Sequence, residues 1–275
     1  MAVSSIGIIT KKGAPEPRQL AAELADWLRR RGLSVAVDRI PADTDLLVIL
    51  GGDGTLLHAA GMASQLDIPV VGINLGGLGF LTEVGAGEVY DVLEQILAGR
   101  ATIRKRMMLQ ARLSSTAATT GWQTALNEVA ISKAHVDRLV SLSTWSDDEY
   151  LTTYKADGLI FATPTGSTAY NLSAGGPIVH PGFDSIVVTP ICPFMLESRP
   201  LLLPPGVRLV TRMAGPAQDV RVIVDGRFAW SMGEEDRLEI QASPRPLQLI
   251  GSPSLTYFEI LRGKLNWGGR PAAAS

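Results

Sequence analysis

Asp53 stands alone among glycines in Gly51-Gly52-Asp53-Gly54-Thr55, and a lone carboxylate in such a loop can serve as a general base, a metal ligand or both. Gly51, Gly52 and Gly54 carry no Cβ, so their backbone amides can meet a phosphate closely. The loop lacks the Lys-Ser/Thr ending of a P-loop, which leaves Asp53 as its distinctive group. Thr55 is placed to cap the helix that follows. The same pentapeptide also suits an ordinary strand-to-helix turn.

A second group lies in Tyr154-Lys155-Ala156-Asp157-Gly158 through Thr163-Pro164-Thr165-Gly166-Ser167-Thr168-Ala169-Tyr170-Asn171-Leu172-Ser173 to Gly175-Gly176-Pro177. Its small and hydroxyl-bearing residues suit a pocket wall. Thr165, Ser167 and Thr168 supply short donors and acceptors, Gly166 is expected to let backbone approach a ligand, and Tyr170 adds an aromatic face with a hydroxyl. A hydroxyl-rich turn capping a helix has the same composition. Upstream, Asn127-Glu128 interrupts the apolar run Leu126–Ile131, a placement that is costly unless something hydrogen-bonds to it. Ribose hydroxyls and a purine edge would do so, as would a structural pair at a strand end.

The elements that must hold these groups are legible from pattern. Leu46–Leu50 is an uninterrupted apolar run suited to a strand covered on both faces, and ligands in open α/β sheets bind beyond the carboxyl ends of such strands. Ile6–Ile9 and Leu33–Val37 read as further strands. Between them a helix carries Glu16 and Pro17 in its first turn, an apolar stripe of Leu20, Leu24, Trp27 and Leu28, and a stop at Gly32. Leu56–Ser64 reads as the helix after the glycine loop. Ile68–Asn74 reads as a strand that leads into a second glycine loop, Gly76 to Leu81. Alternating strands and helices predict a parallel, doubly wound sheet with both loops on its carboxyl edge. A helix over 87–97 closes this unit.

After Gly99 helical periodicity gives way to short β-type runs separated by turn signals. Asp225-Gly226, between Val222–Val224 and Phe228–Trp230, predicts a hairpin. The expected organisation is an α/β domain over 1–100 and a β-rich, sandwich-like domain over 101–252. A final helix within 253–275, capped by Ser252-Pro253 and apolar along Leu255, Phe258, Leu261 and Leu265, is expected to return to the first domain.

Composition bounds the function. The chain has 275 residues, 46% of them hydrophobic, enough for two cores. A formal net charge of -2 gives no bulk electrostatic reason to bind nucleic acid or a membrane surface. Cys192 is the single cysteine and reads as a small buried hydrophobe; with one cysteine there is no internal disulfide. No apolar run approaches the ~20 residues of a membrane span. No leader-like apolar segment opens the sequence, and a cytoplasmic location is the expectation.

The combination of Gly51–Thr55, Gly72-Ile73-Asn74 with Gly79-Phe80-Leu81, Asn127-Glu128, Asp157-Gly158 and Thr163–Pro177 resembles the NAD kinase family, in the right order over nearly the whole chain. The first motif is shared with lipid kinases and phosphofructokinases, whereas the Thr163–Pro177 run is specific. The resemblance implies transfer of the γ-phosphoryl group of ATP to the 2′-hydroxyl of the adenosine ribose of NAD, giving NADP. It implies Asp53 as proton acceptor and a donor loop of Gly51, Gly52, Gly54 and Thr55. The implied dinucleotide contacts are Gly54, Asn127, Glu128, Lys155, Asp157, Thr168, Ala169, Tyr170, Asn171, Leu172 and Ser173. Arg138 and Arg227 occupy positions that vary in the family.

A divalent ion, Mg²⁺ by expectation, would bridge the donor's phosphates, with protein ligands unassigned. The active site is expected between the domains, with a hinge near Gly99, and the resemblance suggests a homodimer or homotetramer. His58 and His180 receive no role. ATP against polyphosphate, and NAD against NADH, stay open. A lipid kinase would need an apolar trough in place of the polar Thr163–Ser173 run, and a non-catalytic dinucleotide sensor could dispense with Asp53.

Overall fold

A computed structural model describes residues 3–267 except 117, 134–137, 196 and 217–218. Residues up to Lys105, together with those from Leu247 onward, form one compact unit, and Arg106–Pro246 form another. In chain order the first unit holds β1 (Ser5–Thr10), α1 (Pro15–Arg29), β2 (Ser34–Val37), β3 (Leu46–Leu50), α2 (Asp53–Gln65), β4 (Val70–Asn74), β5 (Val84–Gly85), α3 (Val89–Leu97) and β6 (Ile103–Arg106). The second holds β7 (Leu109–Ser114), β8 (Gln123–Ala125), β9 (Glu128–Lys133), β10 (Val140–Ser146), β11 (Glu149–Ala156), β12 (Gly158–Ala162), α4 (Tyr170–Ser173) and β13 (Ile186–Ile191). It continues with β14 (Leu201–Leu203), β15 (Leu209–Met213), β16 (Val220–Val224), β17 (Arg227–Met232) and β18 (Arg237–Ala242). The chain then returns to the first unit as β19 (Leu247–Ile250) and α5 (Tyr257–Leu265).

The first unit is built on a seven-stranded sheet ordered β2-β1-β3-β4-β19-β6, with β5 beside β4. β1 pairs in parallel with β2 and β3, and β4 in parallel with β3, β5 and β19. Alternation along the strands gives the sheet two buried faces. Ile6, Ile8, Leu46, Val48, Leu50, Val71 and Ile73 pack with Leu24 and Leu28 of α1 and with Val89, Leu93 and Ile96 of α3. Leu47, Ile49 and Val70 are equally buried, and α2 packs on β3, β4 and β19. A strand buried on both faces has to be apolar throughout, which is why Leu46–Leu50 shows no alternation. α1 ends as its sequence predicts, with Gly32 at φ 82°.

The second unit contains two antiparallel six-stranded sheets, ordered β11-β10-β15-β18-β7-β8 and β14-β13-β12-β9-β16-β17. One apolar cluster draws on both, including Leu109, Ala111, Leu142, Leu209, Leu238 and Ile240 from the first and Val129, Ile131, Leu159, Phe161, Val188 and Val222 from the second. The outer face of the second sheet carries its own cluster, in which Ala130, Ile160, Ala162 and Val187 meet Val179 and Ala174 from the segment after β12. That segment holds the hydroxyl-rich run.

Several expectations shift. Residues 101–105 and 247–252 fall in the first unit rather than in the β-rich half, because β6 and β19 join the parallel sheet. α5 is capped by Thr256, not Ser252-Pro253: Glu259 N donates to Thr256 Oγ1, and Glu259 Oε2 accepts from Thr256 N at 2.8 Å, a capping box. Its buried residues are Ile260 and Leu261, while Phe258 is exposed; residues 268–275 of the expected helical segment lie outside the described residues. Cys192 is exposed at the end of β13 with φ 45°, so its backbone lies in a turn that carries the side chain out of the core.

Candidate active site

The candidate site residues fall into two groups, one in each unit. In the first unit, β3 delivers its chain directly into the glycine loop, and Gly51 N donates to Ile73 O of the neighbouring strand at 3.0 Å. α2 begins at Asp53 itself, so the carboxylate occupies the first helical turn, where the helix dipole favours negative charge. The cap position is Gly52, with no side-chain cap; Thr55, expected to cap, is already two residues inside the helix. A Cβ on Gly51 would lie 2.5 Å from Thr55 Oγ1, so only glycine allows this packing. Lys11, at the end of β1, donates its backbone N–H to Leu50 O, which sets the first strand's exit beside the glycine loop.

Asp53 reaches across to the second glycine loop. Its Oδ1 accepts from Leu81 N at 3.1 Å, Thr82 N at 3.0 Å and Thr82 Oγ1 at 2.9 Å; among the described residues its Oδ2 accepts only from Phe80 N, at 2.9 Å. The carboxylate thus straps residues 80–82 to the start of α2, and Oδ2 retains lone-pair capacity that Oδ1 lacks. Any Cβ on Gly79 would run into Asp53 Oδ1 and Thr82 Oγ1. Asn74 completes the loop: its Nδ2 donates to Gly77 O at 2.6 Å and its Oδ1 accepts from Gly76 N at 2.7 Å. His58 is exposed on α2.

In the second unit the two polar stretches meet. Thr163 N donates to Asn127 O at 2.9 Å, Thr163 Oγ1 donates to Leu126 O, and Gly166 N donates back to Thr163 Oγ1. Gly166 was expected to let backbone approach a ligand; what it approaches here is the Asn127 carbonyl, into which a Cβ would run. Ser167 is fully buried, donating to Pro164 O at 2.6 Å and accepting from Val179 N at 2.9 Å. Asn171, an expected dinucleotide contact, is also fully buried. Its Nδ2 donates to Ser167 O and Pro177 O, and its Oδ1 accepts from Thr189 Oγ1 at 2.6 Å. Its side chain therefore locks the segment onto β13, and only its backbone could serve a ligand. Thr168, Ala169 and Leu172 are half-buried, and Tyr170 and Ser173 are exposed.

Glu128 is buried at 6% exposure, and its Oε2 has no hydrogen-bond partner among the described residues. Burial pushes its carboxyl up to about 7, with the charge of Asp225 adding to the rise and the Tyr170 N–H opposing it. Asp157 pairs with Lys133 Nζ at 2.6 Å, and the Lys155 ammonium lies 5.0 Å from the Phe194 ring centroid. Arg138 and Arg227 are exposed, and Arg138 follows directly on residues outside the description.

Sequence reasoning missed two parts: the amides of residues 80–82 that hold Asp53, and Asp225, whose carboxylate accepts from the backbone of 126–128. The Asp-Gly dipeptide signalled only the turn that it also makes.

Residues 35–101 match the model of the ATP-NAD kinase N-terminal domain, and residues 126–252 match that of the ATP-NAD kinase C-terminal domain. The NAD kinase of Syntrophotalea carbinolica is 43% identical over 96% of this chain and 99% of its own length. That of Geotalea daltonii is 41% identical over 98% of this chain and 100% of its own. Among solved structures, yeast NADH kinase complexed with NADH is similar with a TM-score of 0.88 at 25% identity, covering all of this chain and 90% of the other. An NAD kinase from Archaeoglobus fulgidus in complex with ATP shares the fold, with a TM-score of 0.76 and 24% identity over 96% of this chain and 100% of its own. These matches define the class, a phosphotransferase. The chain belongs to the NAD kinase family.

Proposed function

We propose that this chain transfers the γ-phosphoryl group of ATP to the 2′-hydroxyl of the adenosine ribose of NAD, giving NADP, with Asp53 as the proton acceptor. The observation that carries the residue assignment is the asymmetry of the Asp53 carboxylate. Oδ1 is held by three donors and Oδ2 by one, so Oδ2 is the atom with a lone pair to take the hydroxyl proton while the strap fixes its direction. Gly51, Gly52, Gly54 and Thr55 lie beyond the carboxyl end of β3 and supply backbone amides for donor phosphates. Asn127, Glu128, Asp157 and the wall from Thr168 to Ser173 hold the dinucleotide, Asn171 by its backbone. Arg138, Lys155 and Arg227 are exposed cations suited to its phosphates.

Among the described residues no three His, Cys, Asp or Glu side chains gather as a metal site. This fits a divalent ion that rides mainly on phosphate oxygens and water, as Mg²⁺ does. When bound, the ion neutralises charge on the transferring phosphoryl group. Among the described residues no helix is long and apolar enough to cross a membrane, and with one cysteine in the chain we place the reaction in the cytoplasm. Leu201 and Leu202 are exposed on β14, an edge strand, which supports self-association as a dimer or tetramer.

The test is incubation of purified protein with NAD, ATP and Mg²⁺ and enzymatic detection of NADP, with polyphosphate, NADH and a lipid acceptor in parallel. Formation of NADP from NAD and ATP is expected. Phosphorylation of the lipid alone, or dinucleotide binding without turnover, would overturn the reading.

A further inference from the structure

Asp225 takes no part in the transfer described above, yet it is the most heavily committed acid of the second unit. It opens the β16–β17 turn with φ 46°, followed by Gly226 at φ 76°, the paired positive values of a tight hairpin. From there its carboxylate accepts three consecutive amides far back in sequence: Leu126 N on Oδ2 at 2.8 Å, and Asn127 N and Glu128 N on Oδ1 at 2.8 and 3.1 Å. Its own N–H donates to Glu128 O at 3.0 Å. The backbone from which Asn127 and Glu128 project is therefore clamped by Asp225 on one side and by Thr163 and Gly166 on the other. Beside this clamp lies the buried Glu128 Oε2, which has no hydrogen-bond partner among the described residues.

We infer that Asp225 is a positioning residue for the dinucleotide-binding groups: its carboxylate and its own N–H fix the backbone of residues 126–128, and with it the place of the Glu128 carboxyl. The inference rests on the dinucleotide reading of those groups. Glu128 is buried and Asp225 half-buried, and burial first, then the charge of Asp225, opposes ionisation of Glu128. Asp225 accepts three amide N–H groups, which favour its charged form, whereas Glu128 accepts the Tyr170 N–H. Burial raises Asp225 as well, but its three amides oppose the rise. Among the described residues, the other titratable groups around this point are Tyr170, raised by burial and by Cys192, Glu128 and Asp157, and Asp157 itself, which is paired with Lys133. A neutral Glu128 donates to a carbonyl or ring-nitrogen acceptor on the dinucleotide. Ionised, it loses that bond and repels the ligand's phosphates.

Two measurements test this on the full-length protein. In the ligand-free state, carboxyl ¹³C NMR of glutamate-labelled protein follows the Glu128 titration, with Glu128→Gln identifying its signal. In parallel, NAD affinity is measured calorimetrically from about pH 5.5 to about 8.5. The wild type should titrate near 7 and bind NAD more weakly above that point. Asp225→Asn should move the Glu128 midpoint down, and the break in NAD affinity with it. A folded Asp225→Asn protein whose Glu128 midpoint is unmoved overturns the inference. Should that variant not fold, Glu128→Gln decides: loss of the affinity break supports the inference, and an unchanged break overturns it. A wild type that fails to bind NAD would defeat the dinucleotide reading instead, while the ligand-free titration would still decide the effect of Asp225.

Discussion

The two groups of candidate residues, one in each unit, handle their acids in opposite ways. Asp53 sits at the start of a helix with four hydrogen bonds converging on it from the neighbouring loop. Glu128 sits at the start of a strand, buried, with one amide donor and an oxygen that has no hydrogen-bond partner among the described residues. A carboxylate needed as a directed acceptor gains from donors that fix it, whereas a carboxyl deprived of donors beside another acid holds its proton. Each arrangement depends on a glycine that admits backbone or carboxylate where a Cβ would not fit. Gly79 does this for Asp53, and Gly166 for the Asn127 carbonyl.

Those glycines give the largest contrast. Gly166→Val forces a β-branched side chain into the Asn127 backbone within a fully packed junction, and should cost about 3 kcal/mol of stability and abolish NAD binding. Gly79→Val displaces the Asp53 strap at a loop, so turnover should fall by ~10²-fold with a much smaller drop in the unfolding midpoint. Thermal unfolding and steady-state kinetics on both variants check this. Equal destabilisation by the two substitutions would show that the first loop is as deeply built as the second.

A smaller effect separates the acids themselves. The Glu128 carboxyl rises from 4.5 to about 7 on folding, so between those values the folded state holds a proton that the unfolded state has lost. Unfolding free energy should therefore decrease as pH rises through this window, by roughly 1–3 kcal/mol for this group. Glu128→Gln should remove that slope, read as the difference between urea unfolding curves of the two proteins. An identical slope in the variant would show that Glu128 is ionised throughout.

Local chemistry made much of this legible in the sequence. The apolar run Leu46–Leu50, the Gly32 stop and the Asp225-Gly226 hairpin each depend on residues a few positions apart, and each stands where the sequence places it. What escaped was long-range. That β19 inserts beside β4, that Asp53 is held by residues 27 to 29 positions away, and that Asp225 reaches back 97 to 99 positions depend on pairings with no local signature. Asn171 shows the limit at a single residue. The resemblance places it among the dinucleotide contacts, and its side-chain hydrogen bonds close on Ser167, Pro177 and Thr189.

The central claim is that Asp53 Oδ2 takes the ribose proton, and Asp53→Asn tests it most directly. Asparagine can keep its carbonyl toward Leu81 and Thr82, but its amide then faces the Phe80 N–H, so a modest loss of stability, about 1–2 kcal/mol, is expected from the structure alone. Against that background, turnover measured across a magnesium titration, beside direct NAD binding, should fall by at least ~10²-fold at every magnesium concentration, with NAD affinity within about threefold of wild type. Recovery at high magnesium would make Asp53 a metal ligand instead, and a variant retaining more than about a tenth of wild-type turnover would contradict the proton-acceptor role.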